Sequence, residues 1–288
     1  MQVPKLTIEN QEQGKVELPS QFNEPVRDDI IKRAVLAIRS HKRQSHGADP
    51  EAGKKVSSDI PKRRRKYRTS YGYGISRTPR KILSRRGTRM YWVGAFAPNT
   101  VGGRRAHPPK TSKLLKMKVN KKERRKAIRS AMSASVIKDI VSQKGHKVPD
   151  NYPFIIEDKI QSLSKTKEVI STLEKFGLKE ELIRSSKTKI RAGRGKARGR
   201  KYQNKIGPLI VVGDDCALLN SGANIPGVDV VLVQKINTDL LAPGAEPGRL
   251  TLWTESAISK LSQEKLFTES YKAPSATEKK QEEKSVKK

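Results

Sequence analysis

Across residues 60–122 the chain carries 20 Lys and Arg and no Asp or Glu. A second stretch, 182–213, repeats the pattern with 10 basic residues and again no acid. Setting both aside leaves 193 residues holding 32 basic and 29 acidic side chains, so nearly all of the formal net charge of +33 resides in the two segments. This distribution constrains the fold. Like charges without internal counter-charge repel one another and resist burial, so both segments are expected outside the core, awaiting a polyanion. Nucleic acid phosphate is the usual polyanion, which points to RNA or DNA as the partner.

What remains suffices for one compact domain, although 288 residues could form two. Only 34% of residues are hydrophobic and 32% are charged, so the core is smaller than the length suggests. The single Cys216 excludes a disulfide framework and, close to the apolar run Leu209–Val212, reads as a small buried hydrophobe. No apolar run reaches membrane-spanning length and no apolar leader opens the chain, so a cytoplasmic protein is expected.

The balanced part alternates helices and strands. Ile30, Ile31, Ala34, Val35 and Ile38 recur at helical spacing between Arg27 and Ser40; Asp28 and Asp29 open that helix and His41, Lys42 and Arg43 close it, as its dipole favours. Asn120 and Glu123 have capping-box spacing and open a helix expected to run toward Gly145. One face of that helix carries Ile128, Met132, Val136 and Ile140, the other Lys121, Lys122, Arg124, Arg125 and Arg129. Phe154–Ile156 is a short strand, and Thr166–Phe176 a helix stopped by Gly177. Leu209–Val212 and Val228–Val233 are β-branched strands; Leu250–Trp253 is another, followed by a helix through Ala257, Ile258 and Leu261. Apolar strands alternating with amphipathic helices predict a three-layer α/β/α domain with a mostly parallel sheet. Residues 1–41 and 119–271 would form it. A long basic extended loop, 42–118, would be inserted after the first long helix, and residues 272–288, without aromatics, would be a disordered tail.

Within the first segment Lys62, Arg63, Arg64, Arg65, Lys66 and Arg68 precede Tyr71 and Tyr73. Arg77, Arg80, Arg85, Arg86 and Arg89 follow, then Met90, Tyr91 and Trp92, and later Arg104 and Arg105. Arg grips phosphate bidentately and stacks on bases, and aromatic rings offer stacking platforms. A solvated charge run or a localisation signal would not interleave Ile82, Leu83, Met90 and Val93, so the segment is expected to become ordered on RNA. The second segment carries Lys187, Lys189, Arg191, Arg194, Lys196, Arg198 and Arg200. It is no phosphate loop of the GxxxxGK[ST] kind, because Gly195-Lys196 is followed by Ala197 where a hydroxyl must hold Mg²⁺. With the helix-face residues Lys121, Arg125 and Arg129, these side chains are the expected RNA-binding set.

Catalytic patterns are thin. His41, His46, His107 and His146 have no metal-ligand spacing, and no cofactor motif is present. Asp214-Asp215, after a predicted strand, could hold Mg²⁺, but a turn-forming pair is the plainer reading. A Mg-dependent RNA-processing enzyme and a free-standing nucleic-acid-binding protein are the alternatives to a structural RNA-binding protein.

Lys189–Arg200 followed by Gly207-Pro208-Leu209-Ile210-Val211-Val212 resembles a segment of the universal large-subunit ribosomal protein four family. So do Asn224–Val228, Leu241-Ala242-Pro243-Gly244, Gly248–Glu255 and, upstream, Pro98–Pro109. The resemblance spans about residues 1–265 and is of the archaeal and eukaryotic type, the short tail favouring archaeal. It implies a place in the large ribosomal subunit, bound to its rRNA and to neighbouring ribosomal proteins; with no nucleophile–base pair assembled from the sequence, no enzymatic activity is expected either. It also implies that the inserted loop reaches the wall of the polypeptide exit tunnel and the nascent chain, with Arg85, Arg86, Arg89, Met90, Tyr91 and Trp92 as tunnel-lining candidates. If Asp214 and Asp215 form only a turn, changing both to Asn leaves RNA binding within about twofold in a filter-binding assay; Mg²⁺-dependent RNA cleavage lost in the double variant would restore the enzyme reading.

Overall fold

Charge balance divides the chain in sequence, and packing divides it in space. The computed structural model describes residues 1–54, 64, 70–87 and 89–270. It resolves into two units, Met1–Lys42 with Met117–Lys288, and Arg43–Lys116. The expected contacts at Lys62, Arg63, Arg65, Lys66 and Arg68, and the expected tail 272–288, lie outside the described residues.

The larger unit opens with β1 (Gln2–Leu6) and β2 (Glu12–Glu17), an antiparallel pair that periodicity did not predict. Glu12, Lys15 and Glu17 make β2 an exposed, charged sheet edge, so it lacks the apolar alternation that betrays a strand. Helix α1 (Asp28–His41) follows as expected. The smaller unit then contributes β3 (Arg80–Arg86) and β4 (Arg89–Gly94). The helix expected from Asn120 toward Gly145 is instead two, α2 (Lys121–Val136) and α3 (Lys138–Gln143), broken at Ile137, whose backbone is extended (φ −85°, ψ 109°). Hydroxyl groups end α2 by taking its last carbonyls: Ser135 Oγ donates to Met132 O at 2.7 Å, and the Tyr152 hydroxyl donates to Ser135 O. The expected capping box is also absent. Asn120 makes no side-chain cap, and Glu123 reaches Arg33 at 3.5 Å instead.

Next come β5 (Ile155–Ile156), α4 (Thr166–Lys175), α5 (Lys179–Ser186), β6 (Lys189–Ile190) and β7 (Tyr202–Gln203). The remainder is β8 (Leu209–Val212), α6 (Leu218–Ala223), β9 (Asp229–Leu232), α7 (Thr238–Leu241), β10 (Thr251–Thr254) and α8 (Glu255–Gln263). The main sheet has the order β2-β1-β5-β10-β8-β9 and is parallel at every pairing except β1–β2. Because side chains alternate along a strand, it feeds two cores. Val3, Ile155, Leu209, Val211 and Trp253 meet Ile31 and Val35 of α1, Met132 of α2 and Leu261 of α8. Leu6, Ile156, Ile210, Val212 and Leu252 meet Val169 and Leu173 of α4 and Leu218 of α6. Each such aliphatic contributes about 1.5–3 kcal/mol of burial.

Two buried polar groups lock this framework. The side chain of Arg249 is 1% exposed; it donates to Gly207 O at 2.9 Å and Leu240 O at 3.0 Å, and pairs with Asp229 Oδ2 at 2.5 Å. The side chain of Glu181 is fully buried on α5 and accepts from His146 Nδ1 (2.6 Å), the Lys147 amide (2.9 Å), and Arg184 Nε (2.7 Å) and Nη2 (2.6 Å). The chain leaves α1 and returns at Met117 through one clamp. The Met117 amide donates to Ser40 Oγ at 2.9 Å, and His41 Nε2 donates to Met117 O at 2.9 Å. Asp239 holds the same helix end by accepting from Arg39 (3.1 Å) and Lys42 (2.7 Å).

Burial alone would raise the Glu181 carboxyl, but the hydrogen bonds from Arg184, His146 and the Lys147 amide outweigh it and hold the group at about 2. A depressed folded-state value means that the ionised carboxylate stabilises the fold. That contribution is complete above the ordinary value of 4.5 and is lost as pH falls toward 2. Glu181→Gln should therefore cost on the order of 3 kcal/mol at pH 7 and flatten the acid limb of the stability profile in that window, as urea titrations between pH 2 and 7 would record.

Candidate nucleic-acid interface

The second acid-free stretch folds as a small hairpin. β6 and β7 pair Lys189 with Gln203 and Ile190 with Tyr202, and the Arg191 amide extends the ladder to Lys201 O at 2.8 Å. A turn of 3-10 helix over Arg194–Arg198 closes it, flanked by Gly193 and Gly199, both at φ +76°, a conformation that glycine adopts without steric cost. Arg191 belongs to the scaffold: it is half-buried and its Nε donates to Arg200 O at 3.1 Å. The turn thus fixes its backbone with its own hydrogen bonds and leaves Lys187, Lys189, Arg194, Lys196, Arg198 and Arg200 exposed. None of these six forms a salt bridge among the described residues. Lys201 and Lys205 share the stretch, and Lys201 Nζ lies 5.4 Å from the Tyr202 ring centre. The expected set omitted both lysines, although the same acid-free run marks them.

The face of α2 is used differently. Arg129 donates to Glu24 at 3.0 Å and to Phe267 O at 2.7 Å, and Arg125 Nη1 to Thr268 O at 3.1 Å. These two guanidinium groups hold the chain that follows α8, and of the three residues expected to face RNA here only Lys121 is fully exposed. Helical spacing put the three on one face; a carboxylate and backbone carbonyls brought there by the fold took two of them.

In the smaller unit, β3 and β4 form an antiparallel hairpin with Arg86 opposite Arg89, which leaves a two-residue turn between them. Gly87, the first residue of that turn, has φ +59°, as a two-residue hairpin turn requires. The sequence hid this hairpin because a register shift between Ile82 and Ser84 breaks the alternation. Arg85, Arg86 and Arg89 crowd its tip with exposed side chains; Tyr91 is exposed, while Met90 and Trp92 are half-buried. Nearby, the Arg77 guanidinium lies 4.6 Å from the Tyr71 ring centre and Tyr73 meets Trp92 edge-on at 6.0 Å. Arg80 Nη2 donates to Ser76 O at 3.0 Å. Arg104 packs its β-carbon close to Gly53, where a Cβ would fall 2.6 Å from it, and Arg105 is exposed beside His46 and His107. Arg64 is exposed.

The carboxylate pair reads as structural. Asp214 is ion-paired with Lys260, Asp215 is exposed, and no cluster of three His, Cys, Asp or Glu suited to a metal occurs among the described residues. Cys216 is partly buried, and burial pushes its thiol up, away from the reactive thiolate.

Three archaeal proteins, each named large ribosomal subunit protein uL4, are similar to this chain. That of Nanoarchaeum equitans is 49% identical over 93% of this chain and all of its own length. That of Methanococcoides burtonii is 42% identical over 89% of this chain and 96% of its own. That of Archaeoglobus fulgidus is 40% identical over 91% and 98%. The sequence profile of the ribosomal protein L4/L1 family matches residues 16–264, which include most of the main sheet and both acid-free stretches. With identity of this extent over nearly the whole length, the chain belongs to the ribosomal protein L4/L1 family.

Proposed function

We propose that this protein is a structural, non-enzymatic constituent of the cytoplasmic large ribosomal subunit that binds and stabilises large-subunit rRNA. The hairpin of residues 187–205 carries this reading. Six exposed cations on a pinned backbone, with no carboxylate among them, form a fixed comb of positive charge suited to an array of phosphates. Family membership sets aside the enzyme alternative, and the names of the relatives favour the ribosome over a free-standing nucleic-acid-binding protein. No helix among the described residues is long and apolar enough to cross a membrane.

Residues 42–118 serve in this reading as the RNA-penetrating loop inserted into the α/β domain. Their hairpin tip, with Arg85, Arg86, Arg89, Met90, Tyr91 and Trp92, contributes to the tunnel wall that the nascent chain passes, and neighbouring large-subunit proteins are the other partners. Two features support this assignment: a tip closed by a two-residue turn is narrow, and the exposed arginines at it suit rRNA phosphate.

Changing Arg194, Arg198 and Arg200 together to Ala should reduce the slope of log K against log salt for rRNA binding by roughly 2, at about 0.7–0.9 per phosphate contact. Arg191→Ala should weaken binding with a smaller change of slope, since its guanidinium holds the turn. An unchanged slope in the triple variant would show that the hairpin neutralises no phosphate. Deleting 84–105 should leave the unfolding midpoint of the α/β unit within about 2 °C and allow entry into large subunits, while altering chemical protection of tunnel rRNA. Collapse of the α/β unit, or an unaltered tunnel, would refute the placement of this loop.

A further inference from the structure

A cavity of about 570 Å³ opens at the base of the 187–205 hairpin. His146 and Arg184 line it, and so do Lys189, Asn204 and Lys205 from the hairpin stem; Ile206 and Pro243 supply apolar surface. No carboxylate belongs to the lining. The nearest buried one, Glu181, is spent on His146, Arg184 and the Lys147 amide. Those bonds, with the one from Arg184 Nη2 to Ile206 O at 2.7 Å, hold Arg184 and His146 rigid in the cavity wall. Lys144, also in the lining, is ion-paired with Glu246 at 2.7 Å, whereas Lys189 and Lys205 are exposed and form no salt bridge among the described residues.

The cavity is larger than a phosphate needs and lies in the range of sites for small organic ligands. It combines cations, an imidazole, an amide and a small apolar surface. That combination suits a nucleotide, whose phosphate seeks the cations and whose base seeks the apolar surface of Ile206 and Pro243 and the amide edge. We propose that this cavity receives a single unstacked nucleotide of the bound RNA, its phosphate held by Lys189 and Lys205 and its base inserted toward Asn204, Ile206 and His146. The proposal rests on the rRNA-binding reading above and adds a point of local recognition to the hairpin's diffuse attraction for phosphate. It also accounts for the fixed position of the stem: a pocket for one base must be preorganised, and Glu181 through Arg184 preorganises it.

The test is the full-length protein with deproteinised large-subunit rRNA. Asn204→Trp fills the cavity at unchanged charge. It should weaken binding about 10-fold or more while lowering the salt slope by no more than the one contact at Lys189 and Lys205, about 0.7–0.9, since the phosphate contacts of the turn remain. Wild-type affinity in a variant with an unchanged melting curve would overturn the proposal. If that variant does not fold, ultraviolet crosslinking of the wild-type complex decides instead: after nuclease digestion, a nucleotide adduct on His146 or Asn204 is the expected product, and adducts confined to 191–202 would overturn it. Failure of the wild-type protein to bind the rRNA with a steep salt dependence would instead refute the proposed function, a distinct result.

Discussion

The buried guanidinium of Arg249 is the interaction on which the α/β unit turns. A lone charge in that position would be untenable, and the cost is offset because Asp229 supplies a counter-ion and three backbone carbonyls accept from the guanidinium. These partners are not local to one element. Gly207 and Pro208 precede β8, Asp229 begins β9, Leu240 lies in α7, and Arg249 itself leads into β10. One planar cation therefore fixes the amino ends of three adjacent parallel strands. The close approach of Gly207 to Gly227 and Ser185, where a Cβ would have only 3.0 Å, extends the lock to the end of α5. That junction is where the basic hairpin leaves and rejoins the domain.

Sheets of this class usually hold small-molecule sites at the carboxyl ends of their strands. Here the carboxyl end of β8 carries Gly213, packed against Ser256 at the start of α8, and Asp214 tied to Lys260. The positive hairpin projects from the amino end of the same strand. The basic hairpin thus stands at the end of the sheet opposite to the one where such folds usually hold small-molecule sites, beside the backbone locks made by Arg249.

Much of this was legible in the sequence, and the omissions share a cause. β8, β9, β10, α1, α4 and α8 were visible because burial on one or two faces imposes a hydrophobic period on them. The edge strand β2 faces solvent and has no such period. The break at Ile137 was invisible because the apolar stripe continues through it; the hydroxyl that takes the Ser135 carbonyl comes from Tyr152, beyond the reach of any local pattern. The same applies to the basic set. An acid-free run can be read directly, and the 187–205 hairpin lies within one. Whether a given arginine faces outward depends on what the fold brings to it, and Arg125 and Arg129 were met by Glu24, Phe267 and Thr268. Arg249 bears no sequence mark of its keystone role beyond its place in a family motif.

The Ser40, His41 and Met117 clamp has a consequence for how such a chain varies in length. Because the fold already holds the two ends of the intervening segment together, lengthening that segment adds only a logarithmic closure entropy, about 0.6 kcal/mol for each doubling. The α/β unit is thermodynamically almost indifferent to how many residues the excursion contains. Its length can therefore change with little effect on the unit's stability, so selection on the excursion and selection on stability act on separate parts of one chain.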